Sequence, residues 1–180
     1  KMTTYPRTDA RVLSSAVAKE IHKNIRGIQN YEVCSQLAAE VLSSNKIAGI
    51  AKSRYVNDKQ ITDHYAIIPT GQGLNNLAGL APTAAKVYEV IVRRFLSIFY
   101  PPAVYQKFSL TLQVKEESFF ASFKVLIQEG YLKVTDFSFK KENTAQKEDK
   151  ENENESADEK CDAELTNLLT HLKKGDTLSV

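Results

Sequence analysis

Apolar residues recur at helical spacing in three stretches of the chain. Ser14 or Ser15 can cap a first helix, which carries Val17, Ala18, Ile21 and Ile25 on one face and stops near Gly27. A second helix is predicted from Tyr31 to Ser44, with Cys34, Leu37, Ala38, Val41 and Leu42 together. A third begins near Thr83, repeats Val87, Ile91, Phe95 and Ile98, and ends before Pro101-Pro102. Residues 45–82 between them are irregular. Beyond Pro102 the period changes to two. Phe108, Leu110, Leu112 and Val114 alternate, the stretch Phe119 to Phe123 does so again, and Tyr131 to Val134 reads as a further short strand. The pattern predicts an α+β chain: a mainly helical part over 1–101, then a small antiparallel β segment over 102–141. Residues 142–160 are polar, acidic and almost free of apolar side chains, the composition of a flexible linker or loop. Residues 161–180, with Leu168, Leu169 and Leu172, are expected to return to the β segment as a strand.

Composition narrows the class. A chain of 180 residues with 42% hydrophobic content can bury a core sufficient for one or two domains. No run of about 18 apolar residues and no signal sequence is present, so neither a membrane span nor secretion is indicated. Two cysteines, Cys34 in a helical pattern and Cys161 in the acidic stretch, suggest neither a disulfide framework nor a zinc site. The net charge of +2 conceals an asymmetry. Residues 1–141 carry 19 Lys and Arg against 11 Asp and Glu, a balance of +8, and residues 142–180 carry 5 against 11, a balance of −6. A basic part of this kind suits a salt-sensitive nucleic-acid contact, and equally a generic basic surface.

The candidate chemistry lies in Tyr5-Pro6-Arg7-Thr8-Asp9. Pro6 biases Tyr5 toward an extended backbone and fixes its own φ, so a phenol and a guanidinium leave the chain two residues apart. A phosphate between them would meet a fork of paired N–H donors and a nucleophilic oxygen. The same five residues would also serve as a turn into a helix capped by Thr8 or Asp9. Two further segments change the weighing: Thr62-Asp63-His64-Tyr65-Ala66-Ile67-Ile68-Pro69-Thr70, and the run from Lys86 to Leu96 containing Val92-Arg93-Arg94-Phe95.

Together and in this order the three segments resemble type IA DNA topoisomerases, most nearly their bacterial topoisomerase III branch. The likeness is specific from Lys1 to about Tyr105 and weaker to about Val134. It implies that one DNA strand is cut through a 5′-phosphotyrosine link, another passes, and the break is resealed without ATP. On that resemblance Tyr5 is the nucleophile, Arg7 positions the phosphate, His64 reaches the cleavage site, and Arg7, Thr8 and His64 contact DNA. Position 65 is Tyr where many relatives carry His or Glu. A phenol titrates near 10, so attack at neutral pH requires that its proton be taken or its anion favoured, and an imidazole can move a proton near neutrality. Taken alone, His64 also fits a loop histidine satisfied by a carbonyl. Arg93 and Arg94 are open to a DNA-facing or a solvated reading. No Gly-x-x-x-x-Gly-Lys-Ser/Thr loop is present.

The resemblance further implies that 1–101 is a winged-helix-like catalytic domain and that 102–141 and 161–180 belong to the β-rich arch, a hinge that lifts the catalytic domain. Mg²⁺ is held in the family by an acidic domain preceding the tyrosine, whose Asp-x-Asp motif is absent here. With Lys1 only four residues before Tyr5, the chain is read as an internal fragment, inactive alone, whose partners are single-stranded DNA and that metal-binding domain. A helicase partner is left open, and a cytoplasmic, nucleoid-associated location is implied. The other function class is a noncatalytic single-stranded DNA-binding module on the same scaffold.

Overall fold

The computed structural model describes residues 1–139, 167 and 171–177. Ser14 starts the first helix from an extended backbone, its side chain accepting the Val17 N–H at 3.2 Å. Helix α1 (Ser15–Ile28) buries Ala18, Ile21, Ile25 and Ile28 along one face, as the apolar spacing predicts. Each isoleucine fully removed from water stabilises by about 1.5–3 kcal/mol, so this stripe anchors the core. Because the cap is Ser14, the reading of Thr8 or Asp9 as a helix cap is set aside.

The predicted second helix is broken. Tyr31 is extended, a 3-10 turn covers Glu32–Cys34, and α2 (Ser35–Ser43) follows. Turning the chain there places the Tyr31 ring edge-on to Tyr88, centroids 5.4 Å apart, and buries Cys34 completely. Short 3-10 helices over Ile47–Lys52, Asp58–Gln60 and Leu74–Gly79 account for the irregular middle.

Helix α3 (Pro82–Ser97) opens with Pro82, whose missing N–H costs nothing in the first turn. Its buried face is Tyr88, Val92, Phe95 and Leu96, one step round from the predicted stripe, and Val87 is 54% exposed. The stripe was misplaced because valines occupy both sides of this helix, while the Tyr88 ring faces inward. Arg93 corrects the solvated-face reading. Its guanidinium pairs with Glu89 at 2.7 Å and donates to the Val134 carbonyl at 3.1 Å, with both side chains largely buried.

That carbonyl belongs to a second correction: residues 131–134 form no strand. The Tyr131 carbonyl accepts the Val134 and Thr135 N–H groups and begins helix α4 (Leu132–Phe139), with Val134 fully buried in the core. Aromatic and β-branched composition pointed to a strand, and tertiary packing overrode it. The predicted alternation does give a hairpin. β1 (Val104–Val114) and β2 (Glu117–Gln128) pair antiparallel with Val114 opposite Glu117, around Lys115 and Glu116. Phe108 stacks on Phe123 at 5.3 Å. Neither face is buried, and Phe120 is 79% exposed.

Residues Lys1–Pro102 form one compact unit with residues 130–139, and Ala103–Glu129 lie in a second with residues 167 and 171–177. The hydrophobic core is that of the first unit. Asn167 and His171 are helical, with His171 Nδ1 2.6 Å from the Asn167 carbonyl, and 172–177 contain no strand, so the described part of the closing segment is not the expected strand. Leu165, Leu168, Leu169 and Leu172 in fact follow helical spacing. The acidic segment 142–160 and Cys161 lie outside the described residues. Among the described residues, no helix is long and apolar enough to cross a membrane.

Backbone contact fixes where α1 meets the rest. A Cβ on Gly27 would lie 2.2 Å from the Gly71 carbonyl oxygen, and one on Gly71, whose φ of 73° is left-handed, 2.6 Å from the Asn24 carbonyl. In an ordinary helix Gly→Ala stabilises by about 0.5–1 kcal/mol. Here Gly27→Ala is expected to destabilise by about 1–3 kcal/mol through overpacking, read as a lower urea midpoint at unchanged slope. A raised midpoint would refute the close approach.

Candidate active site around Tyr5 and His64

The site is made by pairing two segments more than sixty residues apart. The Thr4 N–H donates to the Ile68 carbonyl at 2.9 Å, the Ile68 N–H returns to the Thr4 hydroxyl at 3.0 Å, and the Thr70 N–H reaches the Met2 carbonyl at 2.9 Å. Thr3 and Pro69 form an antiparallel bridge between these bonds. Pro69 has no N–H to give, but its carbonyl accepts the Asn24 side chain at 2.9 Å, which ties the ribbon to α1.

Beyond Tyr5 the chain turns and is pinned again. Thr8 donates its hydroxyl to the His64 carbonyl at 2.8 Å and accepts the Ala10 N–H at 3.0 Å, while the Ala66 N–H reaches the Val12 carbonyl at 2.9 Å. The Asp9 carboxylate accepts the Thr62 hydroxyl. Further along, Asp58 receives both the N–H and the hydroxyl of Ser15, at 2.8 and 2.6 Å, which clamps the start of α1.

Between these ties the Tyr5 ring rests on the His64 ring, with centroids 4.6 Å apart and planes inclined by 39°. Tyr5 is 52% exposed, so the residue is open to solvent. His64 is half-buried, and its Nε2 lies 3.4 Å from an oxygen of the exposed Asp63 carboxylate. Arg7 is exposed, and among the described residues no hydrogen bond or ion pair holds its guanidinium. Thr8 is committed within the protein and positions the backbone of His64. The structure therefore joins Tyr5, Thr8 and His64 and leaves Arg7 free beside them.

Sequence reasoning did not anticipate the Asp9 to Thr62 and Asp58 to Ser15 ties. Both join residues distant in sequence, and the only local signal is the turn-forming character of Asp9 and Asp58. The Thr62 hydroxyl, then backbone N–H donors, hold the Asp9 carboxyl below its ordinary 3.8, and the Ser15 hydroxyl, then its N–H, do the same for Asp58. Among the described residues, no three His, Cys, Asp or Glu side chains converge to hold a metal ion. With Asp9 occupied by Thr62, the residues around Tyr5 do not fit a Mg²⁺ site, and no chemical step here is derived through one. What the arrangement offers is an accessible phenol, an adjacent imidazole and an unengaged guanidinium.

Residues 1–179 match a family model described as DNA topoisomerase. The DNA topoisomerase 3 of Bacillus licheniformis is 33% identical over 180 residues, that of Bacillus cereus 31% over 183, and that of Bacillus subtilis (strain 168) 32% over 181. Each alignment takes in 100% of this chain and 22% of the relative, so the chain spans less than a quarter of their length.

The two held carboxylates give a pH signature. Both pKa values are lowered on folding, so their stabilisation is complete above the unfolded value of 3.8 and is lost as pH falls through the lower folded values. Asp58→Asn is expected to lower the urea midpoint at neutral pH and to narrow its gap from wild type as the pH drops below 3.8. A gap that stays constant down to acid would contradict the charge-dependent tie.

Proposed function

Because this chain belongs to the DNA topoisomerase family, we propose that it carries the strand-cleaving tyrosine of a type IA, ATP-independent enzyme that opens one DNA strand, lets another pass and reseals it. The observation that supports this reading is the exposed Tyr5 phenol seated on the His64 ring by a pairing that spans sixty residues.

The chemistry balances within a single exchange. The Tyr5 oxygen attacks a backbone phosphorus, a phosphorus–oxygen bond to tyrosine forms, and the bond to the 3′ oxygen of the upstream strand breaks. The phenolic proton leaves, and the departing 3′ oxygen takes one up. His64, beside the ring, is suited to relay that proton or to donate to a phosphate oxygen. Arg7 clamps two phosphate oxygens and offsets the charge gathered on them during attack. One phosphoester replaces another of similar energy, so the reverse reaction reseals the strand without nucleotide fuel. The reading includes single-stranded DNA as the substrate, Mg²⁺ held by residues outside this chain, and a cytoplasmic setting. Thr8 contributes by holding the His64 backbone.

The test uses the full-length protein with Mg²⁺ and a 3′-end-labelled single-stranded oligonucleotide, quenched with detergent. Wild type is expected to carry label as a covalent adduct, and Tyr5→Phe to form none. Arg7→Ala and His64→Ala are each expected to slow adduct formation by about a hundredfold. An adduct that survives Tyr5→Phe removes Tyr5 as the nucleophile. Binding without adduct in wild type would instead favour a noncatalytic single-stranded DNA-binding module.

A further inference from the structure

Away from Tyr5, the first unit contains a cleft of about 690 Å³, a size that suits a nucleotide. Its walls combine two guanidinium groups with three phenol rings. On α3, Val90, Arg94 and Ser97 fall at i, i+4 and i+7 and line one side, followed by Tyr100. Arg54, Tyr55 and Tyr131 supply the other residues that matter. No Asp or Glu lines the cleft. Glu40, a carboxylate beside Tyr100, is already paired with Lys133 at 3.1 Å and Lys46 at 3.7 Å, and Lys46 also sits over the Tyr100 ring at 4.3 Å.

The two arginines on α3 have separate fates. Arg93 is consumed by Glu89 and Val134, whereas Arg94 is exposed, with only a long 3.4 Å contact to the Ser97 hydroxyl. Arg54 is likewise exposed. Its guanidinium lies 5.1 Å from the Tyr55 ring centroid and donates to the Tyr55 hydroxyl at 3.1 Å. No carboxylate neutralises either group among the described contacts.

We propose that this cleft is a second DNA subsite, which takes one nucleotide of a single strand, with its phosphate held by Arg54 and Arg94 and its base stacked on the tyrosine wall. Planar guanidinium forks suit phosphate oxygens, and aromatic faces accept any unstacked base without sequence preference. A duplex keeps its bases stacked and cannot use the tyrosines, which favours a single strand. The subsite is coupled to the cleavage loop by backbone, since the Tyr55 carbonyl accepts the Leu13 N–H at 2.8 Å, a few residues from Asp9. The inference rests on the proposed action on DNA, but it shares no residue with the Tyr5 and His64 site.

The test measures anisotropy of a fluorescent oligo-dT on the full-length protein across a salt series, and adduct formation in parallel. Replacing both arginines (Arg54→Gln with Arg94→Gln) is expected to weaken binding about tenfold or more and to flatten the log–log salt slope by about 0.7, the share of one single-strand phosphate. Tyr131→Ala is expected to weaken it at least about fivefold with the slope unchanged. Adduct should still form at saturating DNA in both variants. A 5-iodouracil oligonucleotide irradiated with unaltered protein is expected to cross-link to Tyr55, Tyr100 or Tyr131, a readout independent of how the variants fold. Unchanged affinity and slope in the arginine variant, cross-links only elsewhere, or equal competition by duplex would each overturn the subsite while adduct formation at Tyr5 stands. Loss of adduct in wild type with the cross-link retained would count against Tyr5 chemistry alone.

Discussion

The geometry around Tyr5 depends on the antiparallel contact between residues 2–4 and 68–70. Three backbone-directed hydrogen bonds at about 3 Å close a loop of more than sixty residues, and the cost of that closure is met by the core the loop encloses. Within the loop lie α1 and α2, whose buried Ile21, Ile25, Ile28 and Val41 hold the ribbon's backing in place. Gly27 and Gly71 let the helix backbone come directly against the returning strand.

The first unit also separates its tyrosines by environment. Tyr88 is buried, its hydroxyl without a hydrogen-bond partner among the described residues, and burial, with Tyr31 and Cys34 nearby, pushes its ionisation up to about 12. Tyr100 is pushed up further by burial and by the adjacent Glu40, whose carboxylate lies near the phenol without forming a well-directed hydrogen bond. Burial likewise pushes the Cys34 thiol up to about 11, so it is a packing group with no reactive character. Tyr88 and Cys34 are held neutral and inaccessible, whereas Tyr100 is held neutral with its ring half-buried at the wall of the cleft. Tyr5 differs because its backbone is tethered while its ring remains open to solvent, which is the combination a nucleophile needs.

Legibility in the sequence followed the range of the interactions. α1 was readable to its cap because Ser14 and the isoleucine stripe are local signals, and the hairpin was readable from the alternation around Phe108 and Phe120. The inward face of α3 was misread by one residue because Val87 and Val90 look like core but face outward. The segment after Gly130 was misread as a strand because Tyr131 and Val134 favour that state, whereas Arg93 and the core around Val92 draw it into a helix. The two segments that carry Tyr5 and His64 were visible as strings. Their pairing was not, since nothing local in Thr4 announces Ile68 as its partner, and the same holds for Asp9 with Thr62.

The ribbon has a mechanical meaning as well. Tyr5 directly follows Thr4, the residue bonded twice to Ile68, and Pro69 beside it is bonded through Asn24 to α1. Tension applied at the Tyr5 ring therefore enters the fold within one residue and passes through the ribbon into a helix seated on the isoleucine core. Little slack separates the point of load from the rigid body, so a pull on whatever is attached at Tyr5 moves the helical unit as a whole before it extends the loop.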